Sequence, residues 1–173
     1  DGLKRLLLPS LKREALSELK EKASSDAIIL FGKNLKELLL TPPLVNQVIL
    51  GMDPGYVSGC KLAVIDINGD YLASNVIYPT KPREDFTSSS KIVLELIKKY
   101  KINSIAIGNG TASQEAAAFV AKLIEENKLD VKFAIVSEIG ASVYSASKIA
   151  IQEYPNLDVT IRGAISIAQR LRD

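Results

Sequence analysis

Asp53 closes the apolar run Val48-Ile49-Leu50-Gly51-Met52, and no other residue of this sequence is better surrounded for chemistry. A carboxylate brought to the end of a buried strand, beside glycines that let a backbone or a phosphate come close, is a common way to build a metal or phosphate site. Gly55 and Gly59 provide that room. The plainer alternative is that Asp53 opens an Asp-Pro-Gly turn. Two other loops bring polar groups to the ends of apolar runs. Asn109, Gly110 and Thr111 follow Ile105-Ala106-Ile107-Gly108 and could offer backbone N–H groups and a hydroxyl to a phosphate at a helix start; alternatively, Thr111 or Ser113 only caps that helix. Ser137 and Glu138 follow the run from Val131 to Val136. Beyond them, Ser142, Ser145 and Ser147 are small hydroxylated residues suited to close approach of a backbone, from nucleic acid or from another domain.

Composition narrows the chemistry. The 173 residues contain no histidine, which excludes Ser-His-Asp catalysis, histidine general-base work and histidine metal ligation. The single cysteine, Cys60, excludes an intrachain disulfide and a multi-thiolate zinc site, and its place at the start of an apolar strand suits a small buried hydrophobe. Carboxylates with hard metals, or Lys, Ser, Thr and Tyr, remain. The 47% hydrophobic and 24% charged content is that of a soluble globular protein. No apolar run approaches the ~20 residues that span a bilayer, and no signal-peptide pattern opens the chain. A disulfide-free composition points to the cytoplasm. The only methionine is Met52, so the sequence reads as a piece of something longer. A net charge of +2 does not argue for nucleic-acid binding by itself. The run Lys98-Lys99-Tyr100-Lys101 reads as cations complementing a helix C-terminus, the alternative being basic groups interleaved with an aromatic for nucleic acid.

The elements that position these residues follow from periodicity. Residues 11–40 carry apolar residues mostly three and four apart, predicting a helix that starts near Pro9-Ser10, bends or divides at Gly32 and stops at Thr41-Pro42-Pro43. Residues 1–44 are thus a helical segment, and residues 45–173 a separate domain. There the period changes to strands at 45–52, 61–66 and 71–78, the last two joined through Asn68-Gly69, a hairpin signal. A polar loop over 79–90 leads to a helix with Ile92, Val93, Leu96 and Ile97 on its apolar face. A strand at 104–107, a helix at 112–127, a strand at 131–136 and helical patterns at 142–154 and 161–171 complete the chain. The expected fold class is α/β: a mixed five-stranded sheet, antiparallel over its first three strands and then parallel, flanked by helices. In the parallel part, strand ends after Met52, Ile107 and Val136 share one edge, so Asp53, the 108–111 loop and Ser137-Glu138 should converge there. Asp66 should lie at the opposite edge.

That order of elements, with an acid ending the first strand, resembles the ribonuclease H-like fold. The motifs Leu39-Leu40-Thr41-Pro42-Pro43-Leu44, Gly51-Met52-Asp53-Pro54-Gly55, Gly59-Cys60-Lys61-Leu62-Ala63-Val64, Ile107-Gly108-Asn109-Gly110-Thr111-Ala112, the stretch from Val136 to Ser147 and the ending from Ile161 to Leu171 together closely resemble the Tex transcription accessory proteins. Residues 45–173 resemble that family's YqgF domain, itself similar to RuvC-type resolvase folds, and residues 1–44 its preceding helical region. The family's later RNA-binding parts have no counterpart in these residues. The resemblance implies a role in transcription with RNA or DNA, and with the transcription machinery, as partners. It does not imply nuclease activity. Two-metal hydrolysis with Mg or Mn needs several converging carboxylates. Asp53 and Glu138 are the two metal-ligand candidates at the right edge. Resolvases of this type place further acids where this chain has Gly108-Asn109 and Arg162-Gly163. Asp158 is a candidate displaced third ligand, or else a solvated loop acid; Arg162 near the cleft would favour a phosphate over a metal. The resulting reading is a vestigial nuclease-like site in a non-catalytic scaffold that contacts nucleic acid through Gly55, Asn109, Gly110, Thr111, Ser137 and Arg162. The alternative is a Mg- or Mn-dependent RuvC-like nuclease using Asp53 and Glu138.

Overall fold

The structure, a computed structural model, describes residues 1–40 and 43–172. The chain divides into two compact units, Asp1–Pro42 and Pro43–Asp173.

The first unit is helical. A π-helical turn over Leu3–Leu7 leads into α1, Leu8–Leu39, with Pro9 in its first turn, where a missing N–H costs nothing. The helix runs through Gly32 without a break, correcting the expected division there. Thr41 and Pro42, expected to stop it, lie outside the described residues. No helix among the described residues is long and apolar enough to cross a membrane.

The second unit holds strands β1 (Ile49–Asp53), β2 (Cys60–Ile65), β3 (Tyr71–Ile77), β4 (Ser104–Gly108) and β5 (Lys132–Val136), in the sheet order β3-β2-β1-β4-β5. β2 pairs antiparallel with both β1 and β3; β4 pairs parallel with β1 and β5. This is the mixed sheet predicted from the sequence. The helices are α2 (Phe86–Tyr100), α3 (Ser113–Asn127), the short α4 (Ala141–Ser145) and α5 (Lys148–Glu153), and α6 (Val159–Arg172). Two of them differ from expectation. The first turn of α2 takes in residues read as loop, because Asp85 caps it, accepting a bond from Ser88 N at 3.0 Å. The single pattern at 142–154 is two helices, because Ser147 starts a new one by accepting from Ala150 N at 3.2 Å.

β1, β2 and β4 are buried on both faces, so they read as continuous apolar runs. Strand alternation then divides their side chains. Leu50, Met52, Leu62, Val64, Ile105 and Ile107 form one core with Val93 and Ile97 of α2 and Phe119, Val120 and Leu123 of α3. Ile49, Ala63, Ile65 and Ala106 form the other with Ala164, Ile165, Ile167 and Ala168 of α6.

Candidate functional site

The same alternation places Asp53. It follows Ile49 and Gly51 onto the α6 face of β1, one residue past the end of the core. Gly51 lets α6 come down on the sheet: a Cβ there would stand 2.1 Å from the Ala164 carbonyl oxygen. This close approach carries Gly163 over the carboxylate, leaving 3.5 Å between Asp53 Oδ2 and the place a Cβ would occupy on Gly163. Asp53 and Glu138 open into a cavity of about 290 Å³ whose walls include Ser142, Ser145, Thr160 and Gly163.

Glu138 explains the glycines of the neighbouring loop. A Cβ on Gly108 would lie 2.7 Å from Glu138 Oε2, and one on Gly110 only 2.0 Å from Oε1. Asn109 Oδ1 accepts the Glu138 backbone N–H at 3.1 Å and fixes the turn from the other side. The space expected to cradle a phosphate at Gly110 therefore holds a carboxylate of the chain itself, while Asn109 and Thr111 stay exposed beside it. Helix capping does not account for the loop either. The N-cap of α3 is Ala112, left-handed at φ +65°, without a side-chain cap bond.

A third charged group belongs to the site, and sequence reasoning missed it. Lys61 is the register partner of Asp53 in the antiparallel pair, so both side chains leave the same face of the sheet. It is only 8% exposed. Its ammonium donates to Gly59 O at 3.0 Å and to Ser58 Oγ, and sits 3.9 Å from where a Cβ on Gly55 would be. The signal was available: Lys61 falls on the buried face of a strand whose every residue is buried. Burial pushes the Asp53 carboxyl above its usual range, the Glu138 charge pushes it further, and Lys61 pulls it back. Lys61 is thus an electrostatic member of the site although it does not line the cavity.

The structure disperses the remaining candidates. Gly55 lies above the Lys61 ammonium, while Thr111 and Ser137 are exposed on the rim. Ser137 Oγ accepts from Ile139 N at 3.3 Å, closing its own turn. Arg162 corrects the expectation of a guanidinium reaching into the cleft. It is buried, and donates from Nε to Ser145 O and from Nη1 to Leu157 O, each at 2.7 Å, fastening α4 and the 155–158 loop to α6. Asp158 caps α6, accepting from Thr160 N at 2.8 Å and Thr160 Oγ1 at 2.7 Å, which hold its carboxyl below the usual range. Asp66, at the opposite edge as expected, accepts from Asn68 N at 2.8 Å and Asp70 N at 2.9 Å inside the β2–β3 turn. A larger groove of about 530 Å³ runs between α2 and α3, away from these residues.

A divalent ion pair of the resolvase kind does not fit this arrangement. Among the described residues no group of three or more His, Cys, Asp or Glu is placed to hold a metal ion. Where α6 passes Asp53 it presents Gly163, which has no ligand to offer.

Comparison with known proteins agrees with the fold. Residues 47–172 match the family model described as the Tex protein YqgF-like domain. Protein tex of Bordetella pertussis is 45% identical over 168 residues, 96% of this chain and 21% of that protein. The human S1 RNA-binding domain-containing protein 1 is 42% identical over 176 residues, all of this chain and 18% of that protein. The chain therefore spans about a fifth of the curated relatives it matches. Among solved structures, T. thermophilus RuvC in complex with a Holliday junction substrate superposes with a TM-score of 0.51 at 16% identity, covering 71% of this chain and 91% of that one. At that identity the likeness shows the fold alone, a RuvC-like, ribonuclease H-like sheet with its helices.

Proposed function

The chain belongs to the Tex protein YqgF-like domain family, and from that premise we propose that it is a scaffold and nucleic-acid contact of a cytoplasmic transcription accessory factor that does not itself cleave phosphodiesters. The observation that carries this reading is Gly163. In a resolvase-type site the last helix delivers an acid to the first-strand carboxylate; here α6 passes Asp53 at close range with a residue that has no side chain. With Asp158 turned to capping and Asn109 to holding Glu138, the carboxylate set stays at two. Two-metal hydrolysis needs more.

Support for nucleic acid as partner comes from the relatives' names, one of them an RNA-binding protein, and from the RuvC fold, seen there on a Holliday junction. The edge formed by half-buried Gly55 and exposed residues 56–58, Asn109, Thr111 and Ser137 is the contact surface this reading assigns. Stacking and polar contacts suit it better than a strong electrostatic grip, since the net charge is only +2. Contact with the transcription machinery belongs to the same proposal.

The test uses labelled single strands, duplexes and four-way junctions, of RNA and of DNA, with Mg²⁺ or Mn²⁺. Binding without cleavage, weakening when Asn109 and Thr111 are replaced by Ala, is the expected result. Cleavage that disappears in Asp53→Asn would replace this reading with the alternative, a Mg- or Mn-dependent nuclease working through Asp53 and Glu138.

A further inference from the structure

We propose that Lys61 is a fixed positive charge beside Asp53, on the neighbouring strand, that sets the Asp53–Glu138 site against binding a divalent ion. The inference rests on the reading that the site is not a working nuclease, and it names the residue that makes it so beyond the loss of carboxylates.

Four observations carry it. Register makes Lys61 the direct partner of Asp53, and alternation puts both on the α6 face, where Ala63 and Ile65 continue the row into the core. The side chain is buried, so its charge acts through a poorly screening interior rather than through water. Its ammonium is anchored: Gly59 O at 3.0 Å and Ser58 Oγ take two of the three N–H donors, and the Pro54–Gly59 connection folds over it. Finally, Asp53 and Glu138 open into the same cavity, and two carboxylates sharing one cavity would by themselves invite a cation.

A buried ammonium is costly unless something compensates it, and two neutral acceptors do so only in part. The Asp53 carboxylate, its partner across the strand pair, adds to that compensation through space. The relation is reciprocal. A monovalent cation already fixed beneath the Asp-Pro-Gly turn, outside the cavity lining, lowers the negative potential at Asp53, and a divalent ion held by that carboxylate would meet like charge from the neighbouring strand. A lysine that only stapled the loop would have no such effect, because any donor to Gly59 O would serve equally.

That difference defines the experiment. Free Mn²⁺ is titrated against the whole chain and followed by electron paramagnetic resonance, with Lys61→Gln, Lys61→Arg and Lys61→Met alongside. Gln keeps a donor for Gly59 O and removes the charge; Arg keeps the charge. The expected result is weak Mn²⁺ binding in the parent and in Lys61→Arg, and affinity at least about tenfold higher in Lys61→Gln. That gain should be lost again when Asp53→Asn is added. If Lys61→Met does not fold, Lys61→Gln carries the test alone. If neither folds, Gly163→Asp in the parent background decides: a third carboxylate beside Asp53 that still fails to bring Mn²⁺ supports a charge already in place, and tight binding overturns it. Tight Mn²⁺ binding by the parent, or no gain in a folded Lys61→Gln, overturns the inference. Neither outcome touches the proposed function, which stands or falls on cleavage of the labelled substrates.

Discussion

The two faces of the sheet are packed on different principles, and the site belongs to only one of them. On the α2/α3 face large side chains fill the space between sheet and helices, with Phe119 meeting Phe86 edge-on at 5.1 Å between ring centres. On the α6 face the helix lies almost on the strands, against Gly51, Ala63 and Ala106, using Ala164 and Ala168. The first face is held apart by volume; the second, although Ile49, Ile65, Ile165 and Ile167 are also buried in it, closes where Gly51 admits the Ala164 carbonyl. Only the closed face leads into polar chemistry, because a helix that lies low on the sheet carries its first turns directly over the ends of β1 and β4. The position of Gly163 over Asp53 is a consequence of Gly51 two residues earlier in the strand.

The sharpest way to test this contrast is to make the opposite error on each face. Phe119→Ala opens a cavity among large neighbours and is expected to destabilise by about 4 kcal/mol. Gly51→Ala adds a single methyl where a backbone oxygen already stands 2.1 Å away, so α6 must move; the expected loss is about 3 kcal/mol, near the upper end for overpacking. Urea unfolding of both variants measures the two values. The contrast predicts that Gly51→Ala also disturbs the environment of Asp53, seen as shifts in the amide resonances of residues 53 and 163, while Phe119→Ala leaves those resonances in place. Equal disturbance by both would mean that the faces are not independent.

Arg162 sharpens the comparison from within the closed face. Its guanidinium ties α4 and the 155–158 loop to α6 by donating to a carbonyl group of each. Arg162→Met keeps most of the stem and leaves those buried acceptors unmatched, an expected cost of about 2 kcal/mol. If Arg162 contacted nucleic acid instead, the same change would lower affinity for RNA or DNA while leaving the unfolding midpoint unchanged.

How much of this was legible in the sequence follows the same division. The mixed sheet, antiparallel and then parallel, comes from apolar runs, a hairpin signal and strand ends, all of which are local and strong. The meeting of Asp53, the 108–111 loop and Glu138 at one edge follows from topology alone. What the sequence could not resolve is what fills a glycine's empty space. Gly108 and Gly110 leave the same gap whether a phosphate or the Glu138 carboxylate enters it, and only the fold shows that the carboxylate does. Arg162 and Gly163 are neighbours in sequence, yet roughly 100° of helical rotation separates them, so one faces Asp53 and the other turns into the protein. Lys61 was legible in principle. A lysine inside a fully buried strand, opposite an acid in an antiparallel pair, needs a reason to be there.

The smallest effect concerns the balance of charge at Asp53, and its sign is the informative part. Burial and Glu138 raise the Asp53 carboxyl above its unfolded value of 3.8, with Lys61 offsetting only some of the rise. The folded state therefore holds this proton more tightly than the unfolded chain, and stability falls as pH rises through the interval between the unfolded and the raised folded value. Above that interval the ionised carboxylate remains a net burden on the fold. Asp53→Asn removes it, so the variant should be more stable than the parent at neutral pH, and the difference should vanish as pH drops below the unfolded value. The gain is modest because the carboxylate is only half-buried and water at the cavity mouth screens it. Thermal unfolding from pH 3 to pH 8 measures it. The α2/α3 face, whose core is apolar, gives Phe119→Ala no reason for such a pH-dependent difference, and a parallel loss at every pH is expected there. A stability gain in Asp53→Asn that persisted unchanged to pH 3 would mean that turn geometry, not charge, sets the state of Asp53.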